Sequence, residues 1–464
     1  MVDSLFEGIE KFFVFLLERW YWLVFAAFVY FLWKYDAWKG ALAIAGTIIL
    51  GRLAWQLWVH YVRQDFISGI DWVLLEIIPP RDVDRSPKAM ELFFTNALYH
   101  WSFKGGKEEF WQGAVWFWFS LEIASIDGQV HFYIRTPTRI RSLIETQMYA
   151  QYPQAQVKVV EDYTLAVDKI TPDSQWNGWG CEFKLLKHEA YPIKTYIDFG
   201  LEDDPKEEYK VDPISPVIEF LGSLQKGEQG WVQFVITPSK KQYRVGPWWK
   251  FQKQWWHDEA RSEMDKMLMP FTNVQPRIDI PGAYRKEIRM PDYLKRISEA
   301  MVSKTEKIGF DTGVRIMYVA KKEIFPPGTR TNNSRNIRLL FRQYAKPDCN
   351  GFDRFNSTQG DAYGGLGGAF NIGPKTVMLL ANRMLNHFRE RLFFHEPLRY
   401  RIFNTHNLKW PLSLLFHAYF HSQTFVLNVE ELATLWHFPG QILKVPTLER
   451  IESREASPPP NLPT

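Results

Sequence analysis

Two short patterns carry residue types that handle phosphate or metal. Gly368-Ala-Phe-Asn-Ile-Gly-Pro-Lys-Thr376 comes near a phosphate-binding loop. Such a loop is Gly-x4-Gly-Lys-Ser/Thr, with lysine and hydroxyl directly after the second glycine. Here Pro374 intervenes and takes one N–H from a cradle made of backbone N–H groups. No clear hydrophobic strand precedes it, so a loop leading into the next helix is expected. His417 and His421 stand four apart in an apolar, helix-like run. Zinc needs three or four ligands; no third is apparent, and no glutamate follows His417 as in HExxH. Cys181 and Cys349 are the two cysteines, too far apart for a zinc pair or a disulfide framework, which favours a reducing compartment. No nucleophile elbow and no serine with a base stand out. The expectation is a non-enzymatic chain without cofactor or metal.

A third cluster is built for contact rather than catalysis. Lys240, Lys241, Arg244, Lys250 and Lys253 lie beside Trp248, Trp249, Trp255 and Trp256. Cations interleaved with aromatics grip single-stranded nucleic acid, phosphate by charge and base by stacking. The same composition lies on an anionic membrane surface, and it also suits a helical hairpin whose tryptophans pack on a domain. All three readings stay open, with Trp248, Trp249, Lys250, Lys253, Trp255 and Trp256 as the candidate contacts. Arg330–Arg342 is a further charge run, with Arg335 and Arg338 near an expected strand. A solvated edge is its default reading, and phosphate contact the lesser one. The net charge of +4, with both signs interspersed, is a weak signal for nucleic acid.

These residues must be positioned by the elements around them. Phe12–Trp33 is nearly continuous apolar sequence, and Gly40–Val62 is a second run broken by Arg52, Gln56 and His60. A spanning helix needs about 20 apolar residues, so residues 1–64 read as a transmembrane helical hairpin. Trp20, Trp33, Lys34, Trp38, Lys39, Trp58 and Arg63 would sit at the interfaces, where indole rings and cations settle. Lysine and arginine counts place the rest of the chain in the cytoplasm, behind a two-pass anchor in the cytoplasmic (inner) membrane. Residues 65–170 then read as β-α-β-β-α-β: strand 72–78, helix 87–100, strands 117–126 and 129–135 joined by Asp127-Gly128, a helix to 151, and strand 156–161. That order is the ferredoxin-like arrangement. Residues 171–350 read as a second, irregular α/β domain with a helical insertion at about 239–290. In it, 181–188, 194–199, 230–237, 313–320 and 336–344 are expected strands. Residues 351–456 form a mixed helical segment, with a helix at 375–394 and a capping-box start at Asn428 and Glu431. Residues 457–464 are a proline-rich tail. The expected class is therefore α+β behind a membrane anchor.

Several blocks resemble a family of bacterial membrane proteins linked to type IV secretion and conjugation. They are Trp72-Val-Leu-Leu-Glu-Ile-Ile-Pro-Pro80 with Pro87-Lys-Ala-Met-Glu91, the stretch Ser120–Arg135, and Tyr149-Ala-Gln-Tyr-Pro153. Asp212-Pro-Ile-Ser215 with Gly227-Glu-Gln229, and Phe425–Pro439, are similar to its later blocks. In that family the module commonly precedes a DNA-translocating ATPase resembling coupling proteins, fused or separate. The resemblance implies no catalytic residues. It implies that Pro458-Pro-Pro-Asn-Leu-Pro463 looks like the junction where a fused ATPase would begin. The function expected from it is tethering and positioning a partner ATPase at the cytoplasmic membrane. The alternative is direct single-strand or duplex DNA binding at the translocation entrance. Expected partners are the membrane, the ATPase, DNA as the lesser case, and further copies of the chain.

Overall fold

Along Phe119–Ile126 every second residue from Phe119 to Ile123 is apolar, and Val130, Phe132 and Ile134 repeat the pattern. Alternation of this kind puts one apolar face on a strand, and here it builds a nine-stranded antiparallel sheet. In the computed structural model the described residues are 30, 34, 38–80, 83, 85–99, 106–202, 212–239, 256–272, 291–327, 329, 331–358, 374–394 and 422–440. The chain forms two compact units, one of Met1–Ile67, Lys104–Ala114 and Pro397–His406, the other of Ser68–Phe103, Val115–Glu396 and Asn407–Thr464.

In the first unit, helix α1 (Trp38–Ser68) has 31 residues. Among the described residues no helix is long and apolar enough to cross a membrane. This overturns the expected transmembrane hairpin and the two-pass inner-membrane localisation. The physical reason lies in α1 itself. Arg52, Gln56, His60 and Arg63 recur at helical spacing, so they gather on one side as a polar stripe. The earlier run Phe12–Trp33 lies outside the described residues, apart from Tyr30. Val59 and Val62 are buried, and the rings of Trp55 and Trp58 meet Phe110 and Trp111 of short helix α3 (Gly106–Trp111). Trp58 donates its indole N–H to the Phe110 carbonyl at 3.2 Å. Gly113 has φ +68°, and a Cβ there would stand 2.0 Å from the Val62 carbonyl oxygen.

The second unit holds the sheet. Its strands are β1 (Trp72–Ile78), β2 (Phe119–Ile126), β3 (Gln129–Pro137), β4 (Gln156–Val160), β5 (Trp176–Leu185), β6 (Glu228–Pro238), β7 (Gly309–Lys321), β8 (Phe352–Phe355) and β9 (Phe425–Asn428). The order is β4-β1-β3-β2-β6-β7-β5-β8, with β9 added beside β7. The first four strands, with helices α2 (Lys88–Phe93) and α4 (Arg141–Gln151), have the interleaved order of a βαββαβ unit. Its hairpin is the two-residue turn Asp127-Gly128, both with positive φ, the geometry that matches strand twist.

The same order recurs in mirror sequence: β6-β7-β5-β8 repeats β2-β3-β1-β4. Helix α5 (Ser215–Gly222) follows β5, as α2 follows β1. The two halves join through β2 and β6, paired antiparallel from Phe119↔Ile236 to Ile126↔Gln229. They share one sheet, and the apolar cluster on each of its faces draws residues from both halves. Between β6 and β7 lie α6 (Trp256–Thr272) and α7 (Asp292–Glu306).

Two expected strands are not strands. Residues 194–199 form hydrogen-bonded turns. Asn336–Tyr344 is helical, continuing α8 (Asn332–Asn336) as a 3-10 helix over Ile337–Tyr344. Ile337, Phe341 and Tyr344 are its buried positions, a spacing of four and three rather than two. Beyond β8 come α9 (Pro374–Glu390) and, after β9, α10 (Val429–Leu435).

One face of the sheet carries the larger core, including Leu75, Ile123, Phe132, Phe234 and Ile316. The other face, with Leu74, Ala124, Tyr133, Trp231 and Met317, is covered by Tyr163, Val167, Ile170 and the α9 residues Met384, Leu385 and Phe388. Cover is close enough that a Cβ on Gly180 would meet the Met384 side chain at 2.9 Å.

Candidate functional site

The cross-strand registers line up one residue from each strand on the α9 side. The row runs Lys158, Glu76, Tyr133, Glu122, Gln233, Arg315, Glu182, Phe355 across eight strands. Residues directly opposite each other share a face, so a polar ladder crosses the sheet. At its centre Glu122, Gln233, Arg315 and Glu182 are at most 1% exposed.

Each central group is held by several partners. Glu122 receives hydrogen bonds from Ser120 Oγ at 2.5 Å, Tyr163 OH at 2.8 Å and Gln233 Nε2 at 3.0 Å. Arg391 forks onto it through Nε at 2.9 Å and Nη2 at 3.2 Å, and also grips Asp162. Arg315 donates to Glu182 through Nε at 3.0 Å and Nη2 at 2.5 Å. It also donates to Gln233 Oε1 at 3.0 Å. Ser422 Oγ also donates to Glu182 Oε1, at 2.9 Å, and Asn356 Nδ2 to Oε2, at 2.7 Å.

The ladder also receives the end of α9. Arg315 donates to the carbonyls of His387 and Leu392 at 2.9 Å each, and Gln233 Nε2 to that of Phe388 at 3.1 Å. Helix C-termini leave carbonyls unpaired and carry partial negative charge. Guanidinium and amide donors from the sheet satisfy both needs. Phe393 lies over Gly313, and its ring centroid is 4.2 Å from the Arg315 guanidinium carbon. Arg391, with φ +52°, turns the chain back onto Glu122.

The electrostatics are those of locked pairs. Burial opposes ionisation of Asp162, but the hydrogen bond and charge of Arg391 outweigh it and hold the carboxyl below its usual range. Burial likewise works against Arg391, yet Glu122 and Asp162 keep it charged beyond the ordinary arginine range. Arg315 is pulled down by burial despite Glu182. Burial and then the Arg391 charge bring Arg135 down to about 10. Burial, reinforced by Glu122, pushes the Tyr163 phenol up. A second locked pair, Lys304 with Glu431 at 3.0 Å, sits under α10. There Asn428 and Glu431 complete a reciprocal cap at 2.8 and 2.9 Å, and burial raises the Glu431 carboxyl in spite of Lys304.

The residues singled out from sequence are dispersed. Trp248, Trp249, Lys250, Lys253 and Trp255 lie outside the described residues. Trp256 opens α6 fully buried, so it offers no exposed ring for stacking. Trp20 and Trp33 lie outside the described residues, as do His417, His421, the glycine-rich stretch before Pro374 and the proline-rich tail. Lys34 is exposed with its ammonium 5.9 Å from the Tyr30 ring centroid. Trp38 and Lys39 belong to the first turn of α1. Arg63 pairs with Glu109 at 3.1 Å, so it is held by a carboxylate of its own unit. Cys181 and Cys349 are buried free thiols, both pushed up by burial. No cluster of metal-ligand type occurs among the described residues.

Alternation in Phe119–Ile126 marks Ser120 and Glu122 as the polar side of a half-buried strand, which is normally the wet side. What makes that side a buried ionic layer is α9, some 250 residues away, and no local pattern announces it.

Fold and site thus define an α+β protein with a doubled antiparallel sheet and an ionic layer sealed beneath one helix. Residues 70–350 match the family described as a domain of unknown function, DUF8128, and the chain belongs to that family. No curated protein matches the chain.

Proposed function

We propose that the chain is a non-catalytic docking component of a type IV secretion or conjugation-like apparatus, which binds and positions a partner DNA-translocating ATPase. The observation that supports this reading is the state of its ionisable groups. Glu122, Glu182, Arg315 and Arg391 are buried and saturated by one another, by side-chain donors and by the α9 carbonyls. Groups engaged in this way hold a fold; they do not reach a substrate. The sequence blocks between Trp72 and Pro439 supply the partner class, through their resemblance to modules that accompany such ATPases. Among the described residues edge strand β4 pairs with β1 alone, and Val159 on it is exposed. Edges of this kind are surfaces for holding another chain.

The full chain, tagged and expressed with a DNA-translocating ATPase of the coupling-protein class from the same genome, is expected to co-purify with that ATPase at low and moderate salt. Separation of the two at low salt would overturn the proposal, as would ATP hydrolysis by the purified chain alone.

A further inference from the structure

The helical stretch 332–344 presents an unusual outer side. Its inner residues Ile337, Phe341 and Tyr344 are buried. Its outer residues include Arg335 and Arg342, both exposed, and the half-buried Arg338. Arg354 on neighbouring β8 joins them. It pairs in register with Phe183, so it stands on the same face of the sheet as this helix, against which Phe183 packs at Phe341. No carboxylate forms an ion pair with any of the four among the described residues. Some other cations of the fold are engaged, Lys304 with Glu431, Lys307 with Glu91 and Glu430, Lys346 with Asp198; what sets the four arginines apart is their gathering on one helical stretch and the strand beside it.

We infer that Arg335, Arg338, Arg342 and Arg354 form a docking surface for the phosphate backbone of duplex DNA. Arginine's planar fork matches phosphate oxygens two at a time. Arg335, Arg338 and Arg342 each follow a buried residue, Ser334, Ile337 and Phe341, so they share one side of the stretch as a row of charges rather than a single one. A protein partner would need an apolar centre to anchor it. Within described residues 332–344 the exposed large apolar side chain is Leu339, at 39%. The inference is independent of ATPase docking, and either can fail without the other.

The test compares the full chain with the variant R335Q/R338Q/R342Q/R354Q, using a fluorescent random-sequence duplex of about 30 base pairs over a salt series. Each phosphate contact contributes roughly 0.9 to the slope of log K against log salt. The variant is therefore expected to lose a slope of about 3 or more, while K88Q/K295Q, which removes exposed cations elsewhere, keeps most of it. Circular dichroism and the thermal midpoint verify that the variants are folded. The inference is overturned if the wild type does not bind at low salt. It is equally overturned if the quadruple variant keeps the full slope, or if polyglutamate displaces the duplex from the wild type at equal charge.

Discussion

Arg391 is the residue on which the buried layer turns. It joins Glu122 on β2 to Asp162 after β4, and its own backbone closes α9. Removing one partner of a buried ion pair leaves the other charge uncompensated, at a cost of about 3–5 kcal/mol. R391A is expected to lose stability in that range in urea melts, and R391K to lose less. A surface role for Arg391 would leave the melts within about 0.5 kcal/mol of wild type. The pH response follows from Asp162. Its folded carboxyl is held below the usual range, so its contribution is complete above the unfolded value. That contribution is lost as pH falls through the folded value, below about pH 4. The stability gap between wild type and D162N should be widest near neutrality and close under acid. A gap that stays constant from neutral to acid pH would contradict the assignment. None of this was visible residue by residue. Glu122 and Glu182 each sit among apolar neighbours of a strand, and sequence alone does not show whether the polar side meets water or a helix.

At the scale of elements, α9 and β5 depend on glycine. A Cβ on Gly180 would stand 2.9 Å from both the Ile316 carbonyl oxygen and Met384 Cγ. Overpacking at such a site costs about 1–3 kcal/mol. G180V is expected to destabilise by that much and to speed amide exchange in α9 more than in α4, which packs on the opposite face. Equal acceleration in both helices would contradict the placement of α9. Local elements were legible where local chemistry decides them. Asp127-Gly128 is a turn because both residues accept positive φ, and Asn428 with Glu431 is a cap because both side chains reach the backbone. Asn336–Tyr344 reads as a strand from sequence, but Ile337, Phe341 and Tyr344 carry helical spacing and the stretch is helical. In α1 the apolar content outweighed the stripe of Arg52, Gln56, His60 and Arg63, and a helix with a polar side was read as a membrane span.

For the whole molecule, the first βαββαβ order could be read from the strand and turn pattern. The joining of both halves through β2 and β6 could not, because a long-range pairing leaves no local mark. β8, only four residues long, hid the symmetry of the second half. The doubled sheet devotes its strongest charges to its own cohesion and leaves edges and one arginine surface facing outward. The proposed function thus separates stability from binding, and a single binding isotherm tests that separation. The affinity of the full chain for the proposed partner ATPase is measured for wild type and for E122Q, below the unfolding temperature of both. Saturable binding with the same Kd in the two proteins is the predicted result, since Glu122 serves the fold alone. Absence of binding by the wild type, or a tenfold weaker Kd in folded E122Q, would contradict it.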